Sequence, residues 1–263
     1  MYNTVMRYLD HEKFEWLLAD NGIYVSPLAD QKDKTEGEYD STFLSRALRE
    51  TSPDIDSELL NKLDDLQHSM KERGKEKTFI NSWYLGSDET HRMWKTFGTK
   101  GVLIISTDMA LEMLLPRPLN QAIEFKPVIY DDELKQHASQ APSQVKASKY
   151  HPDKEGRFIF DLTKYSVLTG FGVEPGYEVR VGDKLSYESE EITSCMFPES
   201  LEQSHRVIEK KGRGYILRYN LPAIIHEVRL HPEATDADLV RVQERLQAIG
   251  IECPVNHSTL RSA

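Results

Sequence analysis

Apolar and polar positions change period several times along the chain, and each change marks a predicted element. Residues 5–9 read as a first strand, and residues 11–19 as a short helix with Phe14, Leu17 and Leu18 on one side. Asn21-Gly22 ends that helix, and residues 23–26 form a second strand stopped by Pro27. The polar stretch 30–40 predicts a surface loop. Apolar residues then recur at Ile55, Leu59, Leu63, Leu66 and Met70, the spacing of a helical stripe, with Pro53 near the first turn and a charged exit at 71–77. Residues 78–85 carry aromatic and β-branched side chains in a strand pattern. Asp88 and Thr90 offer caps for a helix through Met93, Trp94 and Phe97, which Gly98 stops. Residues 102–105 are apolar on both faces and predict a central strand covered on each side.

A strand at 123–130 contains Pro127, which places it near a sheet edge. Residues 132–153 are polar, include two prolines, and predict a mobile insertion. Further strands are expected at 158–162, 177–181, 215–219 and 224–230, with a turn or short helix within 186–214. Thr235 or Asp236 caps a last helix whose Leu239, Val242, Leu246 and Ile249 face one way, Gly250 ends it, and a closing strand follows at 252–255. Strands outnumber helices without alternating regularly with them, so the expected class is α+β: a mixed, mainly antiparallel central sheet flanked by helices. The chain shows neither an internal repeat nor a linker, and a single domain over 1–263 is expected, with the polar insertion near 132–153.

Composition narrows the function. Hydrophobic residues at 39% and charged residues at 29% give a soluble globular balance. No apolar run approaches the roughly 18 residues of a membrane span, and the N-terminus lacks a basic and apolar leader, so a cytoplasmic protein is expected. A formal charge of −10 argues against non-specific grip on a nucleic-acid backbone. Cys195 and Cys253 belong to no Cys-x-x-Cys unit, and His226 and His231 are five residues apart on one strand, which cannot turn both the same way. No metal site is expected. Gly170-Phe171-Gly172-Val173-Glu174-Pro175-Gly176 has the wrong spacing for a dinucleotide fingerprint and leads into a strand.

Gly176-Tyr177-Glu178-Val179-Arg180-Val181 places Glu178 and Arg180 on one strand face, with Tyr177, Val179 and Val181 on the other. Those two charges form either an ion pair on a half-exposed sheet or a site in which the carboxylate stabilises an oxocarbenium ion while a cation holds phosphate. Trp94 is either core or a wall on which a flat base stacks, and Arg7 either a surface partner or a diphosphate clamp. Asp33 and Glu36 either balance a Lys-rich loop or hold magnesium for phosphodiester chemistry.

In order along the chain, Arg7-Tyr8, Ser26-Pro27, Asp33 with Glu36, Met93-Trp94, Gly101-Val102, Lys164, and Glu178 with Arg180 resemble the landmarks of a prokaryotic family labelled domain of unknown function 2971. Lys32, Lys34 and Thr35 depart from its loop, Phe97 stands where Tyr is common, and Gly176 replaces the first Glu of its Glu-x-Glu-x-Arg strand. The chain also resembles mono-ADP-ribosyltransferases of the DNA-modifying toxin kind. That resemblance implies an NAD-using enzyme of a defence or toxin-type system, with NAD as co-substrate. Arg7 would hold the dinucleotide, Trp94 or Tyr24 would flank a ring, and Lys164 and Arg180 would complete the binding set. Glu178 would be the catalytic carboxylate. Gly176 disfavours the arginine-modifying class. The alternative is a non-catalytic sensor or interaction module of a stress or phage-defence locus, in which Glu178 and Arg180 are structural.

Overall fold

A computed structural model describes residues 3–133, 142–172, 179–181, 184–187 and 200–261. In chain order the elements are β1 (Thr4–Leu9), α1 (His11–Asp20), β2 (Gly22–Pro27), α2 (Phe43–Thr51), α3 (Ser57–Lys77), β3 (Thr78–Leu85), α4 (His91–Phe97), β4 (Val102–Thr107) and α5 (Asp108–Met113). There follow β5 (Ile123–Pro127), β6 (Ile129–Tyr130), β7 (Val145–Lys146), β8 (Glu155–Asp161), α6 (Leu162–Thr169), β9 (Val179–Val181) and β10 (Lys184–Tyr187). The last are α7 (Ser200–Val207), β11 (Ile208–Lys211), β12 (Gly214–Arg218), α8 (Leu221–Ile224), β13 (Glu227–Leu230), α9 (Asp236–Gln247) and β14 (Val255–His257). The class is α+β, with a mixed, mainly antiparallel sheet flanked by helices.

Local signals account for most boundaries. Asp10 and Thr90 cap α1 and α4 by accepting from the Lys13 and Met93 amides, and Thr235 and Asp238 form a reciprocal capping box on α9. Asn21 closes α1 at φ 46°, a left-handed conformation that asparagine tolerates better than most residues. Helix α3 differs from expectation at its end: the stretch 71–77 stays helical and runs directly into β3. The sequence pattern missed α2, α5, α6 and α8, all short and without a long apolar period.

Ten of the described strands join in one sheet that runs β11-β12-β2-β3-β1-β4-β13-β14, with β8 and β5 added beside β3. Strand β3 pairs along its length with β8, from Thr78↔Asp161 to Tyr84↔Glu155. A strand has two edges, so β1 and β2 must share the other one. They do: β2 pairs at Phe79 and Ile80, and β1 at Tyr84 and Leu85. The sheet therefore forks at residues 81–83 of β3, between the diverging β1 and β2.

Alternation gives the two faces of this sheet different cores. Val5, Leu9, Phe79, Trp83, Val102, Ile104, Phe158 and Phe160 belong to the larger core, while Met6, Tyr8, Tyr84, Leu103 and Ile105 pack with Met93 and Trp94 in a smaller core on the opposite face. Gly101, just before β4, is a point of close approach, because a Cβ there would lie 1.9 Å from the Leu9 carbonyl oxygen. Gly101→Ala is expected to lower stability by about 1–3 kcal/mol through a forced shift of the β1 end. Urea unfolding measures this, and an unchanged midpoint would contradict it.

Candidate functional site

Arg7 sits at the fork. Its neighbours in sequence, Val5 and Leu9, belong to the larger core, and its register partner on β4 is Ile104, so its side chain leaves the sheet on that face. The side chain is partly buried, its Nη1 is enclosed without a hydrogen-bond partner, and the guanidinium carbon lies 5.7 Å from the centre of the Trp83 ring. Burial pushes the guanidinium down to about 10, which still leaves it protonated at neutral pH.

Three more enclosed polar atoms without hydrogen-bond partners lie on the same face of adjoining strands: Asn81 Oδ1 and Trp83 Nε1 on β3, and Ser106 Oγ on β4. Ser106 pairs with Val5, two residues from Arg7, and Asn81 pairs with Phe158 of the larger core. Asn81 spends its amide nitrogen on the Tyr24 carbonyl at 2.7 Å, a bond that crosses the fork and leaves Oδ1 as the free acceptor. Enclosed polar groups ordinarily have partners, and an enclosed charge without one is costly. Together these groups offer a cation, an indole N–H, a hydroxyl and one amide acceptor. That set suits an anion that also carries a hydroxyl.

Among the described side chains, Trp94, Tyr24 and Lys164 do not gather around Arg7. Trp94 is 2% exposed and lies in the smaller core, on the opposite face of the sheet. Its Nε1 donates to Glu89 at 2.9 Å, and Tyr8 and His231 meet its ring edge-on at 5.0 and 5.3 Å. A ring so enclosed has no face for a base, so of the two readings of Trp94 the structure favours core. Tyr24 alternates with the buried Ile23 and Val25, which turns its ring away from the larger core and leaves it exposed. The aromatic that does flank Arg7 is Trp83. Lys164 is exposed in the first turn of α6, 3.8 Å from Glu124, at the Asp161 end of β8 and remote from the Gly156 end opposite Trp83. Arg180 pairs with Leu185 in the two-stranded β9–β10 sheet, and Glu178, Tyr177 and Gly176 lie outside the described residues. Asn81 and Ser106 were legible only as polar residues interrupting apolar strand faces.

Asp33 and Glu36 also part company. Asp33 closes a turn by accepting from the Thr35 amide and hydroxyl, at 3.0 and 2.8 Å. Glu36, expected on a surface loop, is 4% exposed. Its Oε1 meets Arg157 Nη2 and Lys146 Nζ, both at 2.9 Å. Arg157 also donates Nε to Glu155 at 2.6 Å and Nη1 to the Ser143 carbonyl at 2.6 Å, and Lys146 meets Glu155 at 2.7 Å. Burial pushes the Glu155 carboxyl up, but the charges and hydrogen bonds of Arg157 and Lys146 outweigh it and hold the group at about 2. The network fastens the loop carrying Glu36 and the described flank of the polar insertion to β8. With two cations already on its carboxylates it does not suit magnesium, and among the described residues no group of three or more His, Cys, Asp or Glu side chains could hold a metal ion.

The chain is thus an α+β protein with enclosed, unpartnered polar groups on one face of a forked sheet. No family model, curated protein or solved structure matches the chain. Among the described residues no helix is long and apolar enough to cross a membrane.

Proposed function

We propose that the fork binds a nucleotide or dinucleotide and that the protein is an NAD-using enzyme of the ADP-ribosyltransferase kind. One observation carries this reading: the unpartnered, enclosed Arg7 Nη1 beside Trp83, on the sheet face that also carries Asn81 and Ser106. The guanidinium would take a phosphate and Asn81 Oδ1 a sugar hydroxyl. The Trp83 ring, held beside the guanidinium, would flank the site in place of Trp94. Glu178 would then stabilise the ribose cation formed as nicotinamide leaves, as the likeness to mono-ADP-ribosyltransferases implies. The same likeness implies that Arg7, on the first strand, holds the dinucleotide.

Titration calorimetry with NAD and ADP-ribose tests the binding step. Arg7→Ala is expected to weaken binding at least tenfold, since charge-assisted hydrogen bonds to phosphate contribute roughly 1.5–3 kcal/mol. Equal affinity in that variant would sink the site. Chromatographic assay of nicotinamide tests the chemistry, where an unchanged rate in Glu178→Gln would remove Glu178 from it. The placement of Trp94 within the core favours a second reading, a binding-only sensor. Tight binding of NAD without release of nicotinamide would select it.

A further inference from the structure

Three strands of the sheet carry an arginine that is at least partly buried, and one of the three lacks a counter-charge. Arg157 on β8 is held by Glu155 and Glu36, and Arg229 on β13 by Glu227 and Glu89. Arg7 on β1 has no carboxylate partner among the described residues. Burial pulls the Arg157 guanidinium down and the two carboxylates more than reverse that, whereas at Arg7 burial acts alone. An enclosed charge in that condition is costly, and an ion that reaches it is held strongly. Arg7 as a whole keeps partial exposure, so an ion can reach it from solvent.

The strand register decides which ion. Trp83 stands where the β1–β3 ladder, running from Val5↔Leu85 to Met6↔Tyr84, would next set a partner against Arg7. Ser106 is diagonal to Arg7 across β1 and β4, a spacing of about 7–8 Å that a long side chain spans. Arg7 Nη1, Trp83 Nε1 and the Ser106 hydroxyl are thus unspent donors on three strands. Asn81, two residues from Trp83 on the same face, can only accept there, because its amide nitrogen is spent on the Tyr24 carbonyl. A positive charge with surplus donors selects an anion, and the fixed acceptor asks that the anion keep a proton. At neutral pH inorganic phosphate meets both conditions and sulfate only the first. We infer that the fork takes one hydrogen phosphate ion from solution, bound by Arg7, Trp83, Ser106 and Asn81, which supplies the counter-charge of Arg7 and fastens β1, β3 and β4 together. This needs no nucleotide. Where the nucleotide reading holds, the ion competes with the nucleotide for Arg7, and that part rests on that reading.

Thermal unfolding of the full chain in phosphate, sulfate and chloride at one ionic strength tests this, with titration calorimetry for the phosphate affinity. Phosphate and sulfate both strengthen folding in general by exclusion from protein surfaces, so the decisive quantity is the response beyond that of Arg7→Met. At a hundred times its dissociation constant, phosphate should raise the midpoint of the parent by about 5 °C more than that of Arg7→Met. Sulfate should bind the parent at least tenfold more weakly, since it leaves the Asn81 acceptor unpaired. Ser106→Ala keeps the charge, removes one donor and should weaken phosphate about tenfold, which decides the matter if Arg7→Met does not fold. An equal phosphate response in Arg7→Met, sulfate as effective as phosphate, or unchanged phosphate affinity in Ser106→Ala would each overturn the inference. NAD binding without a specific phosphate effect would sink this inference alone, and phosphate binding that NAD and ADP-ribose fail to displace would sink the nucleotide reading alone.

Discussion

Replacing Arg157 with methionine is expected to remove about 3–5 kcal/mol of folding stability, because a buried pair that loses one partner leaves its counter-charges uncompensated. Arg157 is 1% exposed and its three donor groups go to Glu155, Glu36 and the Ser143 carbonyl. In the variant Lys146 alone would face two buried carboxylates. Arg157→Lys keeps the charge but cannot reach three acceptors from one nitrogen, and should recover part of the loss. Urea unfolding measures both. The pH dependence gives a second readout. Glu155 is held at about 2 against an ordinary value near 4.5, so the folded state binds its proton more weakly than the unfolded chain does. Its contribution is complete above the unfolded value and is lost as pH falls from about 4.5 towards 2. This acid loss should be much smaller in Arg157→Met. A variant as stable as the parent at neutral pH, with the same acid profile, would mean that the network is not coupled to folding.

Glu89→Ala is expected to cost about 3 kcal/mol, with a local signature at the C-terminal end. The Glu89 carboxylate accepts from Trp94 Nε1 at 2.9 Å, Arg229 Nη1 at 3.0 Å, and the Thr259 amide and hydroxyl at 2.9 and 3.1 Å, as well as from the Ser258 hydroxyl. Burial alone would raise its pKa. The Ser258 and Thr259 donors, followed by Trp94 and Arg229, reverse that and hold the carboxyl below its ordinary value. Removing it strands donors on three separate segments: α4, β13 and the stretch after β14. Hydrogen exchange at the Thr259 amide should accelerate more than exchange in the sheet, because that amide loses its acceptor outright. If Thr259 and global stability both stay as they were, Glu89 is not the latch for residues 258–261.

These two clusters show where the pattern of residues stopped being informative. Glu36 and Glu89 lie in polar stretches, where nothing local marks a carboxylate for burial. The partners that draw them inside are Arg157, 121 residues away from Glu36, and Ser258, 169 residues from Glu89. The stripe Leu59, Leu63, Leu66 and Met70 shows the reverse case. Its period correctly marks a helix, yet a stripe of leucines does not say which side of the helix the rest of the protein occupies. Here Leu60 and the polar anchors Asp64, Lys71 and Lys75 took that side, bound to Ser45 and Glu38. Trp94 fits its strong local context, a capped helix beside an apolar strand, and accordingly lies in the core.

By itself the sequence determined what local chemistry decides: most strands and helices, the Thr90 and Thr235 caps, the Asn21 stop and the α+β class. It also placed Arg7 on a strand face with Val5 and Leu9, because alternation within one strand needs no partner. Tertiary structure decided which strands share that face. The split of β1 and β2 along one edge of β3 sets Arg7 beside Trp83 and on one side with Asn81 and Ser106, while Trp94 backs the opposite side. Strand pairing is non-local, and a polar side chain acquires its meaning only from the residues that pairing brings within reach.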